Sequence, residues 1–324
     1  MASLNTPPPT AGAPPVVTIT MNPALDVSTA VDQVIPTHKL RCEAAFTHPG
    51  GGGINVARVI HRLGTPCLAL FPSGGATGQS INTLLGAEGV PFHTVTIAQE
   101  SRESFSVRER QTGQDYRFVL PGPRLNDSEW QACLKAIQTL QPVPRYLIAS
   151  GSLAPGVPED FYAQLAQHCH SQGCHLILDS SGAALRQGLM AGVHLFKPSL
   201  RELQELTSVD LSTREQRIQA SRTLIQKGWT QCVALSLGDE GAMLITDNQA
   251  WYAAALPVTI ASTIGAGDSF LAGLIWSLNQ NHPPQRAFAH GMAAATAALL
   301  SSGTALCNPE DVQRLLTQVH VTPC

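Results

Sequence analysis

The chain reads as an α/β protein: a mostly parallel sheet covered by helices on both faces, with a small second sheet set over the strand ends. Three observations predict this. From Tyr146 onward, short apolar runs alternate with amphipathic stretches, the rhythm of strand–helix–strand units. Apolar residues make up 44% of the 324 residues and charged ones only 13%, a composition that can bury a large core and excludes global disorder. Two segments, near 24–48 and 102–120, lack helical periodicity and do not fit that rhythm, so they are expected to pair with each other as a lid.

Taken in order, residues 1–15 are rich in Pro, Thr and Ala with no charged side chain; they read as a disordered tail, not a secretory signal. A single domain is expected over 16–320. Val16-Val17-Thr18-Ile19-Thr20 is a buried opening strand. After Pro49-Gly50-Gly51-Gly52-Gly53, Val56, Val59, Ile60 and Leu63 recur at i, i+3, i+4, i+7 and predict a helix. Phe105/Val107 and Tyr116/Phe118 alternate around Thr112-Gly113-Gln114, as in a hairpin. Strands follow at Tyr146–Ala149, Leu176–Leu178, His194–Phe196 and Val233–Leu235, with a helix over about 159–170 and another after Lys197-Pro198. Sheets of this kind bind ligands beyond the carboxyl ends of their strands, where Ser150, Asp179, Lys197 and Ser236 fall.

Charge narrows the function classes. Twenty Lys+Arg against 23 Asp+Glu give a net −3, which supplies no basic field for nucleic acid or an anionic membrane. Any anionic ligand must be held by a few local cations, and lysine occurs only at 39, 135, 197 and 227. The eight cysteines form no CxxC pair, as expected for reduced thiols in a cytoplasmic protein. The cluster His168-Cys169-His170 with Cys174-His175 reads as packing around a helix end before it reads as a metal site. No run reaches 18 uninterrupted apolar residues, so no membrane span is expected.

Two glycine-rich segments carry the chemistry. In Thr263-Ile264-Gly265-Ala266-Gly267-Asp268, the following Phe270, Leu271, Leu274, Ile275 and Leu278 share one face. A helix therefore starts at about 266–268, and its unobstructed N–H groups suit an anion. A carboxylate placed there repels phosphate unless it accepts a proton; an aspartate cap is the plainer alternative. Gly50 to Gly53 with Asn55 is neither a dinucleotide fingerprint nor a Walker A loop, since no Gly-Lys pair occurs in the chain. It lets a ligand lie directly against backbone.

Gly51-Gly52-Gly53-x-Asn55-x-Ala57, with Gly64 and Gly74 beyond, resembles the first signature of the PfkB (ribokinase-like) carbohydrate kinases. Ser262-Thr263-x-Gly265-Ala266-Gly267-Asp268-x-x-x-Ala272-Gly273-Leu274-Ile275 resembles their second. Asn22-Pro23-Ala24-Leu25-Asp26, Lys39-Leu40-Arg41-Cys42, Ser150-Gly151-Ser152-Leu153, Asp179-Ser180-Ser181-Gly182, Lys197-Pro198 and Ser236-Leu237-Gly238 are similar to the phosphofructokinase branch. Together they cover roughly 16–318.

The resemblance implies a three-layer α/β/α sandwich with a β lid, and ATP-dependent phosphorylation of fructose 6-phosphate at its 1-hydroxyl. It makes Asp268 the catalytic base and Gly265, Ala266 and Gly267 the anion hole. Asp26, Gly51, Gly52, Gly53 and Asn55 are then expected to hold sugar hydroxyls, and Lys39, Arg102 and Ser152 the sugar phosphate. Lys197, Ser236, Gly238 and Thr263 fall where the family contacts ATP. Where the family commonly has Asn-x-x-Glu, this chain has Ser199-Leu200-Arg201-Glu202; Glu202 can organise Mg²⁺ through water, while Ser199 reaches less far and implies altered Mg²⁺ handling. Arg102 discriminates between substrates, because a neutral sugar needs no guanidinium; a solvated surface arginine is the competing reading. Tagatose 6-phosphate and fructose 1-phosphate remain alternative substrates, and a non-catalytic sugar-phosphate sensor an alternative class. The exposed edges of the lid strands predict a homodimer.

Overall fold

Along Tyr146–Ser150 the side chains alternate between two separate cores: Tyr146 and Ile148 enter one, Leu147 and Ala149 the other. Cys232 and Ala234 against Val233 and Leu235 repeat the pattern farther along the sheet. A strand buried on both faces has no polar side to mark it, which is why these segments read as continuous apolar runs.

The computed structural model describes residues 15–324; the tail expected at 1–15 lies outside them apart from Pro15. Through the first half run β1 (Val16–Ile19), β2 (Ala24–Val31), β3 (Phe46–Gly50), α1 (Gly52–Arg62), β4 (Cys67–Ser73), α2 (Gly75–Ala87), β5 (Phe92–Thr96), β6 (Arg102–Glu109), β7 (Asp115–Val119) and α3 (Asp127–Gln138). Then come β8 (Tyr146–Ser150), α4 (Phe161–Gln172), β9 (His175–Asp179), α5 (Gly182–Met190), β10 (Val193–Phe196), α6 (Leu200–Thr207), α7 (Arg214–Gln226) and β11 (Thr230–Ser236). The chain closes with β12 (Ala242–Ile245), β13 (Ala250–Ala253), α8 (Ala266–Asn279), α9 (Pro284–Leu299), α10 (Pro309–Leu316) and β14 (Thr322–Pro323).

The main sheet has ten strands in the order β14-β13-β12-β11-β10-β9-β8-β1-β4-β5. From β11 to β5 every pairing is parallel, while β12, β13 and β14 add an antiparallel edge. Helices α1, α2, α8, α9 and α10 pack their apolar stripes on one face, and α3 to α7 on the other. Polar caps start several of these helices: Asn126 with Glu129, Ser199 with Glu202 and Thr213 with Gln216 form reciprocal capping boxes, satisfying backbone donors that the helix itself leaves open.

A second sheet of four strands, β3-β2-β6-β7, joins the two non-helical segments. Its central pair, β2 with β6, is parallel, and β6–β7 is the expected hairpin. Within the first segment only Ala24–Val31 and Phe46–Gly50 are strands; residues 32–45 cross between them without regular structure.

Candidate active site

Strand β1 lies between β8 and β4, so the connections leaving the carboxyl ends of β1 and β8 diverge and open a crevice there, the switch point of an open parallel sheet. The glycine-rich entry to α1 fills the floor of that crevice. A Cβ on Gly52 would stand 2.2 Å from Ser150 Oγ, at the end of β8. The helix can start this close to the sheet only without a side chain there. Gly53 packs deeper, against the Ile19 carbonyl of β1, so it supports the floor and does not face the opening.

Opposite, α8 begins at Gly265, whose left-handed φ of 79° turns the chain into the helix. Ala266, Gly267 and Asp268 form its first turn, with their N–H groups at the positive end of the helix dipole. Asn55 Nδ2 donates to Asp268 Oδ2 at 2.8 Å, which brings the two signature segments into contact. Burial raises the Asp268 carboxyl above its ordinary range, and the Asn55 hydrogen bond and the Lys197 charge offset part of this. Asp179, at the end of β9, is pushed up to about 6 by burial, against the pull of Lys197. Lys197 Nζ is 3.1 Å from Asp179 Oδ1 and stands beside Gly267. Ser150 Oγ donates to the other Asp179 oxygen at 3.2 Å.

Ser150, Asp179, Asn55 and Asp268 line a cavity of about 250 Å³, roofed by the second sheet. Asp26, Gly51, Gly52, Asn55, Arg102, Ser152, Glu202 and Asp268 all reach it. Asp26, on β2, is buried and its carboxyl is raised by that burial, with Arg117 and Arg102 opposing. Arg102 is anchored, not a solvated surface arginine: its two terminal nitrogens donate to the Leu120 and Asn22 carbonyls at 2.6 and 2.9 Å, and its Nε is buried without a partner. Ser152 Oγ accepts from Asn22 Nδ2 at 3.3 Å.

Lys39 is not brought here. It lies exposed in the irregular stretch between β2 and β3, because residues 32–45 leave the second sheet instead of running along its inner face. Reading the sequence missed Arg117, which reaches the cavity from β7, and Ser104 as lining groups; Ser150 and Asp179, which it set at the ligand-binding ends of their strands, line the cavity too. Asp179 ends an apolar run, a usable signal. Arg117 carries none, since β7 is exposed along most of its length.

A second cavity, of about 590 Å³, lies on the other side of the α8 entry. Ser236, Gly238 and Thr263 edge it, and Leu256, Val258, Phe270, Met292 and Leu299 give it apolar walls. Such walls suit a flat heteroaromatic group. The two cavities meet at the first turn of α8: Ala266 and Gly267 line this one and Asp268 the other.

Two substrate-sized cavities joined at a helix N-terminus, with a carboxylate at the junction, are the architecture of a group-transfer enzyme. The family model of the pfkB carbohydrate kinases matches residues 15–311, and the chain belongs to that family. It is 45% identical to the ATP-dependent 6-phosphofructokinase isozyme 2 of Mycobacterium tuberculosis, over 94% of this chain and 89% of the relative. It is 30% identical to a 1-phosphofructokinase of Bacillus subtilis, over 94% and 98%. The solved structure of Escherichia coli phosphofructokinase-2 in complex with substrates and products superposes with a TM-score of 0.90 at 37% identity, covering 94% of this chain and 98% of the other.

Proposed function

We propose that the chain is an ATP-dependent 6-phosphofructokinase that transfers the terminal phosphoryl group of ATP to the 1-hydroxyl of fructose 6-phosphate. One observation carries the reading: the meeting of the two cavities at the first turn of α8, with Asp268 on the sugar side and the Gly267 backbone on the nucleotide side. The higher identity to a 6-phosphofructokinase than to a 1-phosphofructokinase supports the same substrate.

Each step follows from a group in place. Asp26, Asn55 and the Gly51–Gly52 backbone hold the sugar hydroxyls, since a buried carboxylate accepts hydroxyl hydrogen bonds with fixed direction. Arg102 and Arg117 give the small cavity two cations, which a neutral sugar would leave unmatched and a sugar phosphate complements. The acceptor oxygen attacks the terminal phosphorus, the bond to the bridging oxygen of ADP breaks, and the hydroxyl proton passes to Asp268. In a loose transition state that proton leaves late, so Asp268 must aim the hydroxyl and needs no strong basicity. The N–H groups of Ala266 and Gly267, with Lys197 close by, meet the charge on the transferring group.

For Mg²⁺, the carboxylates of Glu202 and Asp179 both line the small cavity. Among the described residues no group of three or more His, Cys, Asp or Glu side chains could hold a metal by themselves. That donor set fits a hard cation held mainly by water and nucleotide phosphates; when bound, Mg²⁺ supplies neutralisation of phosphate charge. Ser199 caps α6 and donates to Glu202 Oε2 at 2.8 Å, which occupies one oxygen of that carboxylate.

The second sheet acts in this reading as a lid that excludes water and limits ATP hydrolysis, and its outer face is the surface of a homodimer. None of the described helices is long and apolar enough to cross a membrane. Coupled ADP release with fructose 6-phosphate, tagatose 6-phosphate and fructose 1-phosphate tests the assignment. The largest kcat/KM is expected with fructose 6-phosphate. A larger value with either of the others reassigns the substrate, and binding without turnover supports a sensor.

A further inference from the structure

Behind Asn55, one helical turn along α1, sits a charged side chain that the reaction as described does not use. Arg58 has no exposed surface at all, an expensive place for a guanidinium unless its donors are matched. They are matched to four groups, Pro49, Thr304, Asn55 and Glu88. Nη1 donates to the Pro49 carbonyl at 3.1 Å, where β3 turns into the glycine segment, and to the Thr304 carbonyl at 3.0 Å. It also faces Asn55 Oδ1 at 3.4 Å. Nε and Nη2 hold Glu88, whose other oxygen accepts from Arg62.

The contact with Asn55 has a consequence for Asp268. An amide can be turned over to exchange its oxygen and nitrogen at little cost in shape, and only its neighbours decide which way it points. A guanidinium has donors only, so the amide atom facing Arg58 must be the oxygen. The NH₂ group then faces Asp268, to which it donates at 2.8 Å. The Thr304 contact reaches the same carboxylate from the other side. Two residues on, Leu306 packs over Gly265, where a Cβ would lie 2.4 Å from its Cδ2, and Gly265 begins the helix that carries Asp268.

We infer that Arg58 is a positioning residue for the phosphoryl transfer: it fixes the Asn55 amide so that Asp268 is held ionised and aimed, and it ties the glycine segment to the loop that braces the α8 entry. The inference rests on the reaction proposed above. Since the Asn55 hydrogen bond lowers the Asp268 pKa, loss of amide orientation raises it.

Arg58→Lys is the variant of choice. It keeps the charge beside Glu88, yet three donors on a point charge cannot serve Glu88, Pro49, Thr304 and Asn55 together. Its kcat is expected to fall ~10–100-fold, the scale of a small misalignment, with KM for the sugar phosphate changed less than about threefold, as for an interaction made only in the transition state. The acid limb of its pH–rate profile moves to higher pH. In an Asn55→Ala background Arg58→Lys produces no further shift of that limb, because the two act in series. An unchanged profile in Arg58→Lys, or shifts that add in the double variant, overturns the inference.

Urea unfolding provides a readout independent of turnover. Coupling between Arg58→Lys and Asp268→Asn that disappears when residue 55 is alanine supports the relay, and zero coupling overturns it even in an active enzyme. Coupling without any turnover of the wild-type protein overturns the assigned reaction alone.

Discussion

At the scale of single residues, the site depends on carboxylates held in unfavourable surroundings. Replacing Asp268 by Asn keeps the shape and removes the proposed proton acceptor; turnover is expected to drop ~10²–10⁴-fold with little change in sugar-phosphate binding, as read by steady-state kinetics beside calorimetry. Asp179 is raised from 3.8 to about 6, chiefly by burial and with the Asp268 charge adding to it, and burial raises Asp268 in the same direction. The proposed reaction needs Asp268 ionised, and burial raises its carboxyl above the ordinary value of 3.8, so the acid limb of kcat/KM should lie at higher pH than for an unperturbed aspartate. Stability has the opposite sign. The folded chain binds the Asp179 proton more tightly than the unfolded chain, so that contribution is fully present below the ordinary value of 3.8 and is lost as pH rises through about 6. A pH–rate profile and urea unfolding over the same range check both. Ser199→Asn is expected to leave the melting temperature unchanged, because Asn caps helices as well as Ser, and to lower the Mg²⁺ concentration giving half-maximal activity.

Among the elements, the α1 entry is the least tolerant of change. Gly52→Ala drives a methyl group into Ser150 at the end of β8; loss of sugar-phosphate binding beyond the reach of calorimetry is the expected result, with ATP binding retained. This entry and that of α8 were legible in the sequence because both join a glycine cluster to an abrupt apolar helical period. The strands from β8 to β11 were legible as bare apolar runs. The antiparallel edge was not: β12 and β13 are four residues each, and β14 is only two, too short for a period to form. That the two non-helical segments share a sheet was legible, but the parallel pairing of β2 with β6 within it was not, since parallel strands so far apart in sequence share no turn that announces them. The roles of Arg58 and Arg117 were hidden for opposite reasons. One sits on the α1 helix between the apolar Ala57 and Val59, where a lone charge reads as the solvent face of an amphipathic helix, and the other lies on a strand exposed along most of its length.

For the molecule as a whole, the second sheet has two unlike faces. Asp26 and Ser104 pair across its inner face, whereas Val27, Phe105 and Phe118 line up in register across the outer one. Phe105 and Phe118 are 39% and 57% exposed, an apolar row that pairing with a second copy would cover. Light scattering should give a dimer mass, and Phe118→Ser should shift it toward the monomer. The junction at α8 has a final stereochemical consequence. In the proposed reaction donor and acceptor approach one helix tip from opposite sides, so phosphorus has no intermediate residence on the protein and passes from one oxygen to the other in a single line. A chirally labelled thiophosphoryl group is therefore expected to emerge with its handedness inverted; retained handedness would reveal a covalent stopover on a side chain.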